Sequence, residues 1–248
     1  MKVCVVVPVY NHGATVGAVV ASLQAHGVHC IVVDDGSEPV CAAILHDLHV
    51  RAPANVGLVR MPHNGGKGAA VIAGMQAAWA QGFTHALQVD ADGQHAMEDV
   101  PRFIALAQTL PDAVICGCPV YDNTVPKGRL YGRYLTHVWV WINTLSFDIR
   151  DSMCGFRVYP LANTVALLNE VRIGRRMDFD TEIIVRLYWR GVPVVNQPTR
   201  VRYPQGGISH FRALQDNVLI SRMHAMLFLG MLCRAPALVM RKLRQRTG

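Results

Sequence analysis

Residues 84–94 read Thr-His-Ala-Leu-Gln-Val-Asp-Ala-Asp-Gly-Gln, an apolar run that ends in two aspartates separated by one residue. A short apolar run bounded by turn residues is typical of a strand buried on both faces of a sheet. In the turn after such a strand, carboxylates at positions i and i+2 can converge on one hard divalent cation, which prefers oxygen ligands and keeps substrate phosphates in its shell. The segment therefore predicts a strand over 84–89 and a metal site at Asp90 and Asp92.

Strand and helix patterns alternate along the first half of the chain. Four further apolar runs predict strands, at 3–9, 30–33, 55–61 and 113–118. Four stretches with helical spacing lie between and around them, at 15–26, 40–49, 67–81 and 97–109. This alternation predicts an α/β fold of Rossmann type, with a mainly parallel central sheet and helices on both faces.

The pattern changes after Pro119. Residues 120–133 read as a basic loop, and residues 151–159 as a polar loop that runs into a strand. The remaining signals are helical at 135–145, 164–169, 179–190 and from 214 onward, with one strand at 192–201. We divide the chain into one domain over 1–212 and a helical, amphipathic C-terminal appendage over 213–248.

Composition narrows the possible classes of partner. The 248 residues are 51% hydrophobic and 17% charged, which excludes a disordered chain. The formal net charge is +7; five basic residues lie in the last fifteen positions and no acidic residue follows Asp216. Basicity at one end favours an anionic membrane surface or a disordered solubilising tail over a nucleic acid, for which no binding motif is present. An odd number of cysteines, seven, spread along hydrophobic segments favours a reducing compartment and excludes a disulfide framework.

Two apolar stretches are candidates for membrane contact. Residues 134–147 carry no formal charge but number only fourteen, and residues 225–233 number nine. A bilayer-spanning helix needs roughly twenty apolar residues, so we expect neither to span and either to lie in an interface. The Met-rich stretch from 218 to 240, followed by basic residues, reads as an amphipathic membrane-surface segment; the alternative is a helix that pairs in a homo-oligomer.

Polar residues follow three of the predicted strands. They are Tyr10-Asn11, Asp34-Asp35-Gly36-Ser37 and Asp90-Ala91-Asp92. Ligands of open parallel sheets bind at the carboxyl ends of strands, so these residues should lie along one edge. A glycine-rich turn, Asn-Gly-Gly-Lys-Gly at 64–68, opens a helix whose amides favour anions, and Lys67 adds a positive charge. Its spacing is neither that of a Walker A motif nor G-x-G-x-x-G.

Four motifs occur in one order along the chain, Val-Val-Pro-Val-Tyr-Asn at 6–11, Val-Val-Asp-Asp-Gly-Ser at 32–37, the turn at 64–68 and Asp-Ala-Asp-Gly-Gln at 90–94. Together they resemble a family 2 glycosyltransferase of the GT-A fold, nearest to the dolichyl- or polyprenyl-phosphate mannose or glucose synthase branch, over roughly residues 3–210. The resemblance implies an inverting enzyme that uses Mg²⁺ or Mn²⁺ to move a sugar from a UDP- or GDP-linked donor to an acceptor.

The resemblance also assigns roles on the donor side. Nucleotide binding would fall to Pro8, Tyr10, Asn11, Asp35, Lys67 and Asp90. The metal and the diphosphate would be held by Asp90 and Asp92, with Gln94 as an additional metal-side ligand. Asp92 would thereby be a catalytic residue.

On the acceptor side, residues 151–157 resemble the family's D-x-x-x-G-F-R/K segment, which includes Asp151 and Arg157. Arg129 and Arg133 match arginines that grip a lipid phosphate in the lipid-phosphate branch. Ser209 and His210 lie in a stretch that resembles the loop closing over the diphosphate. The implied partners are a nucleotide diphosphate sugar, a lipid-linked or membrane-proximal acceptor and the membrane itself, with a cytoplasmic location on the inner face of the cytoplasmic membrane.

The acceptor decides whether a protein base is needed. A lipid phosphate is already ionised near pH 7, since its second pKa is about 6, and requires none. A hydroxyl acceptor needs a carboxylate to take its proton, for which Asp151 is the first candidate and Asp180 or Glu182 the second. Two other readings remain open, a sugar-phosphate nucleotidyltransferase and a non-catalytic nucleotide-sugar-binding protein.

Overall fold

The computed structural model describes residues 1–120, 127–201 and 212–247, without the side chains of residues 127–131, 213 and 245–247. This part of the chain forms one seven-stranded sheet. Its strands are β1 (Val3–Val9), β2 (His29–Asp34), β3 (Val56–Arg60), β4 (His85–Gln88), β5 (Val114–Val120), β6 (Arg157–Pro160) and β7 (Val194–Arg200). The order across the sheet is β3-β2-β1-β4-β6-β5-β7, and only β6 runs antiparallel to its neighbours. The predicted mainly parallel sheet is confirmed.

Helices follow most strands. The α-helices are α1 (Gly13–Ala25), α2 (Pro39–Arg51), α3 (Lys67–Ala80), α4 (Val100–Thr109), α5 (Lys127–Thr144), α6 (Leu161–Glu170), α7 (Phe179–Trp189) and α8 (Ala213–Thr247). A short 3₁₀-helix, Met97–Asp99, precedes α4. The strand and helix positions predicted from the sequence, including the helix from 214 onward, are confirmed to within a few residues, with an exception in α5. The length of the apolar stretch in α8 is a second difference.

The sheet is buried on both faces, as the unbroken apolar strands predict. Alternate residues of β1 enter different cores. Val6 packs in the same cluster as Met75 of α3 and Ile183 of α7, whereas Val5 belongs to the cluster that contains Phe103 of α4. The sheet is therefore rigid at its centre, where β2, β1 and β4 lie side by side.

The exception is the segment predicted as a basic loop over 120–133. Helix α5 begins within it, at Lys127. The basic residues and glycines at its start hide the apolar periodicity that begins at residue 135. Within the helix, Arg133 makes an ion pair with Asp151, a contact that the local pattern does not contain.

The second difference concerns the C-terminal helix. Residues 225–233, too short to span alone, lie within a 31-residue stretch of α8, Leu214–Arg244, that is long and apolar enough to cross a membrane by length and composition. Its most apolar 18-residue window has a mean hydropathy of 1.6, and 28% of that window is buried. Counting only uninterrupted apolar residues missed it, because His224, Gly230 and Arg234 divide the stretch.

Helix α8 packs against α5 and α7. Trp139 of α5 stacks on His224 and meets Phe228 edge-on, with ring centroids 6.0 and 6.2 Å apart. Further along the helix, the guanidinium of Arg234 lies 4.8 Å from the ring centroid of Trp189 in α7. One side of α8 is thereby fixed to the domain.

Candidate active site

The carboxyl ends of β2, β1 and β4 meet at one edge of the sheet. Hydrogen bonds join the loops that follow them. The Asn11 backbone N–H donates to Ser37 Oγ at 3.1 Å, and Thr15 Oγ1 donates to the Ala91 carbonyl at 2.6 Å. The three polar segments after these strands therefore form one continuous edge, as the parallel arrangement predicts.

A lysine flanked by two carboxylates lies at the centre of this edge. Lys67, the first residue of α3, places its Nζ 2.9 Å from Asp90 Oδ2 and 2.9 Å from Asp180 Oδ2. Its side chain is 21% exposed. Burial alone would lower the pKa of the Lys67 ammonium, but Asp180 and Asp90 outweigh burial and raise it. Lys67 is therefore a fixed positive charge at neutral pH.

Asp90 has one oxygen committed and one free of protein partners. Oδ2 pairs with Lys67 and lies 3.4 Å from His95 Nε2, whereas Oδ1 is buried and accepts no hydrogen bond from the described residues. Burial alone would raise the pKa of this carboxyl, but Lys67 and His95 hold it well below its usual range. Gly155 packs directly on the pair, since a Cβ at that position would lie 2.8 Å from both Asp90 Oδ2 and Lys67 Nζ. A side chain at 155 would fill this space.

The carboxylate oxygens at this edge fit a hard divalent cation. Asp92 lies two residues beyond Asp90, is half-buried, and accepts one hydrogen bond, from the Gln94 backbone N–H at 3.0 Å. Buried, ionised Asp90 Oδ1 supplies an oxygen that needs a partner. No group of three or more His, Cys, Asp or Glu residues capable of holding a metal is found within residues 1–120, 127–201 and 212–247. Two carboxylates suit an ion that takes the rest of its shell from phosphate oxygens and water.

The glycine-rich turn is held by Asp35. Its two carboxylate oxygens accept hydrogen bonds from the N–H groups of Gly65 and Gly66, at 2.7 and 2.9 Å. Burial raises the pKa of Asp35, and these two hydrogen bonds oppose that rise. Gly66 has φ of 97°, a conformation that favours glycine. The turn is thereby fixed beside Lys67, at the start of α3.

A second charged cluster lies at Asp151. Arg133 donates two hydrogen bonds to its carboxylate, from Nε at 2.6 Å and from Nη2 at 2.8 Å. The N–H groups of Met153 and Cys154 also donate to it, and His137 Nε2 lies 3.5 Å away. Burial alone would raise the pKa of Asp151, but the His137 and Arg133 contacts hold it well below its usual range. Asp151 therefore orients Arg133 and is a poor proton acceptor at neutral pH.

Comparison with known proteins shows which family the chain belongs to. The sequence model described as "Glycosyl transferase family 2" matches residues 4–167, more than half of the chain. The chain belongs to glycosyltransferase family 2. The expected GT-A fold and the enzyme class are therefore confirmed.

Two curated family 2 relatives are lipid-phosphate sugar transferases by name. Over 185 residues the chain is 32% identical to a UDP-N-acetylglucosamine–dolichyl-phosphate N-acetylglucosaminyltransferase of Methanococcus voltae, covering 68% of this chain and 74% of the relative. Over 172 residues it is 29% identical to a polyprenol monophosphomannose synthase of Mycolicibacterium smegmatis, covering 64% of this chain and 61% of the relative. The chain thus spans less than two thirds of the mycobacterial protein.

A solved structure shares the fold at low identity. The mannosyltransferase PcManGT of Pyrobaculum calidifontis, in complex with GDP-Man and Mn²⁺, superposes with a TM-score of 0.59 at 12% identity, over 94% of this chain and 64% of that one. At this identity the likeness shows the fold alone.

Some residues suggested by the resemblance to family 2 lie where a ligand could not touch them directly. Arg157 is completely buried, and its guanidinium donates to the backbone carbonyls of Ser152, Cys154 and Asp180. The expectation that Arg157 contacts an acceptor is corrected accordingly, because none of its surface is accessible. Asn11 Oδ1 accepts the Glu38 N–H at 2.8 Å, which gives its side chain a role in joining two loops.

Three other predicted residues are not located by the structure. The side chain of Arg129, one helical turn before Arg133 on α5, and residues Ser209 and His210 lie outside the described part of the chain. Their roles in the family 2 enzyme stay predictions. So do those of Pro8, Tyr10 and Gln94, for which no ligand contact is tested.

Three residues of these charged clusters make contacts that were not predicted from the sequence. Asp180 was considered only as a base, but it is the second partner of Lys67. His95 contacts Asp90 and stacks on Phe156 with ring centroids 5.2 Å apart, and His137 contacts Asp151. The contact of His95 with this site could have been expected from the sequence, because His95 directly follows the Asp90–Gln94 motif. Asp180 and His137 have no motif spacing that would identify them.

Proposed function

We propose that this family 2 glycosyltransferase is an inverting, metal-dependent enzyme. It transfers a sugar from a UDP- or GDP-linked donor to a polyprenyl phosphate-like lipid at a membrane surface. The observation that carries the proposal is the unpartnered Asp90 Oδ1, set beside Asp92 and next to the fixed charge of Lys67. In this proposal the oxygens of Asp90 and Asp92 would bind the metal ion, and the Lys67 ammonium would lie beside the leaving diphosphate.

On the donor side, the developing negative charge on the leaving diphosphate must be stabilised. A divalent cation, Mg²⁺ or Mn²⁺, would be held by Asp90 and Asp92 and would supply Lewis-acid stabilisation there. Lys67 adds a preorganised positive charge that needs no reorganisation during the reaction. The Mn²⁺ and GDP-Man bound by the Pyrobaculum protein, and the UDP-linked sugar in the name of the Methanococcus relative, support this donor class.

On the acceptor side, the ionisation of the candidate bases favours a phosphate over a hydroxyl. Asp151 has both oxygens occupied and its pKa held low by Arg133 and His137. Asp180 is bound to Lys67, and Glu182 accepts from the Gly174 N–H and pairs with Arg186. An acceptor that is already ionised needs none of them as a base. Arg133, oriented by Asp151, would position that phosphate for attack from the face opposite the diphosphate.

The test of this function uses one lipid with and without its phosphate. We expect nucleoside diphosphate release when the protein, Mn²⁺ and a panel of UDP- and GDP-sugars meet vesicles that contain undecaprenyl phosphate. We expect release at least about 100-fold slower with undecaprenol, because the hydroxyl lipid lacks the charge that Arg133 would bind and needs a base. Equal release with undecaprenol would establish the hydroxyl-acceptor alternative. No release above background with any donor would contradict the proposed function.

The membrane association belongs to the same proposal. The outward side of α8 carries exposed apolar residues at helical spacing, among them Met226, Leu229 and Met240. The outward side of α5 also carries exposed apolar residues, among them Leu135. From residue 217 onward the chain carries basic residues and no acidic ones, which suits an anionic membrane surface. The seven free cysteines agree with a cytoplasmic, inner-face location.

Vesicle flotation tests this surface. Leu135→Ser together with Leu229→Ser is expected to weaken binding to vesicles of phosphatidylcholine with one fifth phosphatidylglycerol by at least about tenfold, since each lost apolar side chain is worth roughly 1–2 kcal/mol. Val40→Ser is the matched control, because Val40 is an exposed apolar residue on α2, 77% accessible. Unchanged flotation of the double variant would contradict the assignment of this face to the membrane. A concentration-dependent dimer that the wild-type protein forms and the double variant does not would favour the homo-oligomer.

A further inference from the structure

Arg157 has an environment unusual for a charged side chain. It opens β6, has no accessible surface, and takes part in none of the ion pairs found among the described residues. One guanidinium nitrogen donates to the Asp180 carbonyl at 2.9 Å and to Tyr159 Oη at 3.1 Å. A second donates to the Ser152 and Cys154 carbonyls, at 3.1 and 3.2 Å. The third, Nε, is buried and has no hydrogen-bond partner among the described residues. A buried cation is costly unless it is hydrogen-bonded, so the four contacts that Arg157 makes hold it in one geometry.

On one side, Arg157 reaches the donor site. Tyr159 Oη donates to Gln88 Oε1 at 3.4 Å, and Gln88 Nε2 donates to Asp180 Oδ1 at 3.1 Å. Asp180 Oδ2 then binds Lys67, which binds Asp90. Arg157 therefore holds Asp180 twice, through its backbone carbonyl and through the Tyr159–Gln88 pair.

On the other side, Arg157 reaches the acceptor site. Ser152 and Cys154, whose carbonyls it binds, belong to the turn that starts at Asp151. The N–H of Cys154 donates to Asp151 Oδ1 at 2.8 Å, and the Asp151 carboxylate binds Arg133. The same guanidinium thus fixes the turn that orients Arg133.

We propose that Arg157 is a positioning residue that couples the two substrate sites, holding Lys67 on the donor side and Arg133 on the acceptor side at a set separation. This inference rests on the proposed function. A buried network in which two guanidinium nitrogens make four hydrogen bonds has few alternative arrangements, so a displacement at one end is transmitted to the other. Binding of the diphosphate at Lys67 should therefore alter the affinity of Arg133 for a phosphate.

The experiment measures that coupling directly. The probes are UDP and GDP, each with Mn²⁺, and farnesyl phosphate, a short polyprenyl phosphate, titrated separately and together by calorimetry. In the wild-type protein, saturation with the nucleotide should change farnesyl phosphate affinity by about fivefold or more. In Tyr159→Phe, which keeps the buried ring but removes the link to Gln88, the coupling should fall below about twofold while each ligand alone binds within about threefold of wild type.

Matched variants separate positioning from stability. Tyr188→Phe is the control for Tyr159→Phe, because Tyr188 is also buried and its hydroxyl donates to Asp148 at 2.6 Å, outside the network. Arg157→Lys is compared with Arg186→Lys, since Arg186 is a part-buried arginine bound to Glu182. We expect Tyr159→Phe and Arg157→Lys to lower kcat about tenfold or more with little change in the donor KM, and the two controls to retain both kcat and coupling.

The possible results lead to distinct conclusions. Wild-type coupling retained in Tyr159→Phe and Arg157→Lys would overturn the positioning role, whatever their melting temperatures. Binding of both probes by the wild-type protein without any coupling would overturn the inference and leave the proposed function standing. Binding of neither probe would overturn both.

Discussion

Replacing Asp92 by alanine is expected to lower kcat by about three orders of magnitude, because the leaving diphosphate would lose a metal-mediated stabilisation worth several kcal/mol. Metal-dependent nucleotide binding should disappear in the same variant. The fold should survive, since the Asp92 side chain is half-buried and its single recorded hydrogen bond is with Gln94, two residues away in the same turn.

The measurements are kcat with the best donor and calorimetric titration of UDP and GDP with and without Mn²⁺. Asp112→Ala provides the matched control, because Asp112 is an exposed aspartate in the turn before β5. The control should be indistinguishable from wild type in kcat and in nucleotide affinity, both with and without Mn²⁺. Unchanged turnover in Asp92→Ala, or nucleotide binding that keeps its dependence on Mn²⁺, would contradict the assignment of Asp92 to the metal.

The position of the polar residues at one edge of the sheet was largely predictable because these residues lie where local patterns end. A buried strand that stops at Asp-Ala-Asp, and another that stops at Asp34-Asp35, place their polar residues at one edge whenever the strands are parallel neighbours. Tight turns impose a further local rule, since Gly66 needs a positive φ. These constraints act over a few residues, and a sequence records them directly.

The partners of those residues were not predictable in the same way. Asp180 reaches Lys67 from α7, and Arg133 of α5 pairs with Asp151, which follows that helix in the chain. Both contacts join segments far apart in the chain, and neither has a spacing that distinguishes it from a solvated surface charge. The length of the apolar stretch in α8 was underestimated for a related reason, because Arg234, which interrupts the apolar residues, lies over Trp189 and is accommodated by a tertiary contact.

Lys67→Met is expected to destabilise the protein by about 3–5 kcal/mol, because it leaves the carboxylates of Asp90 and Asp180 partly buried without their shared cation. For a chain of this size that corresponds to a fall in Tm of roughly 10 °C. The loss should depend on pH. In the wild type the pKa of Asp90 is depressed, so its contribution to the free energy of unfolding is present above the ordinary carboxyl range near pH 4 and is lost as pH falls toward the folded-state pKa. The difference between variant and wild type should therefore be largest at neutral pH and shrink in acid.

The same variant distinguishes the contribution of the Lys67 ammonium from that of the proposed metal ion. Removing Lys67 eliminates a positive charge 2.9 Å from Asp90, so Mn²⁺ alone should bind more tightly than in wild type, while UDP or GDP with Mn²⁺ should bind more weakly for want of the lysine charge. The double variant Lys67→Met/Asp180→Asn also removes the charge of Asp180, one of the two carboxylates left unpaired. It should therefore recover about half of the stability that Lys67→Met loses. Lys2→Met is the matched control, because Lys2 is exposed and away from this edge. A wild-type Tm at pH 7 together with unchanged Mn²⁺ affinity would show that Lys67 and Asp90 do not share one electrostatic site, because a cation held between two carboxylates cannot be removed without a change in both quantities.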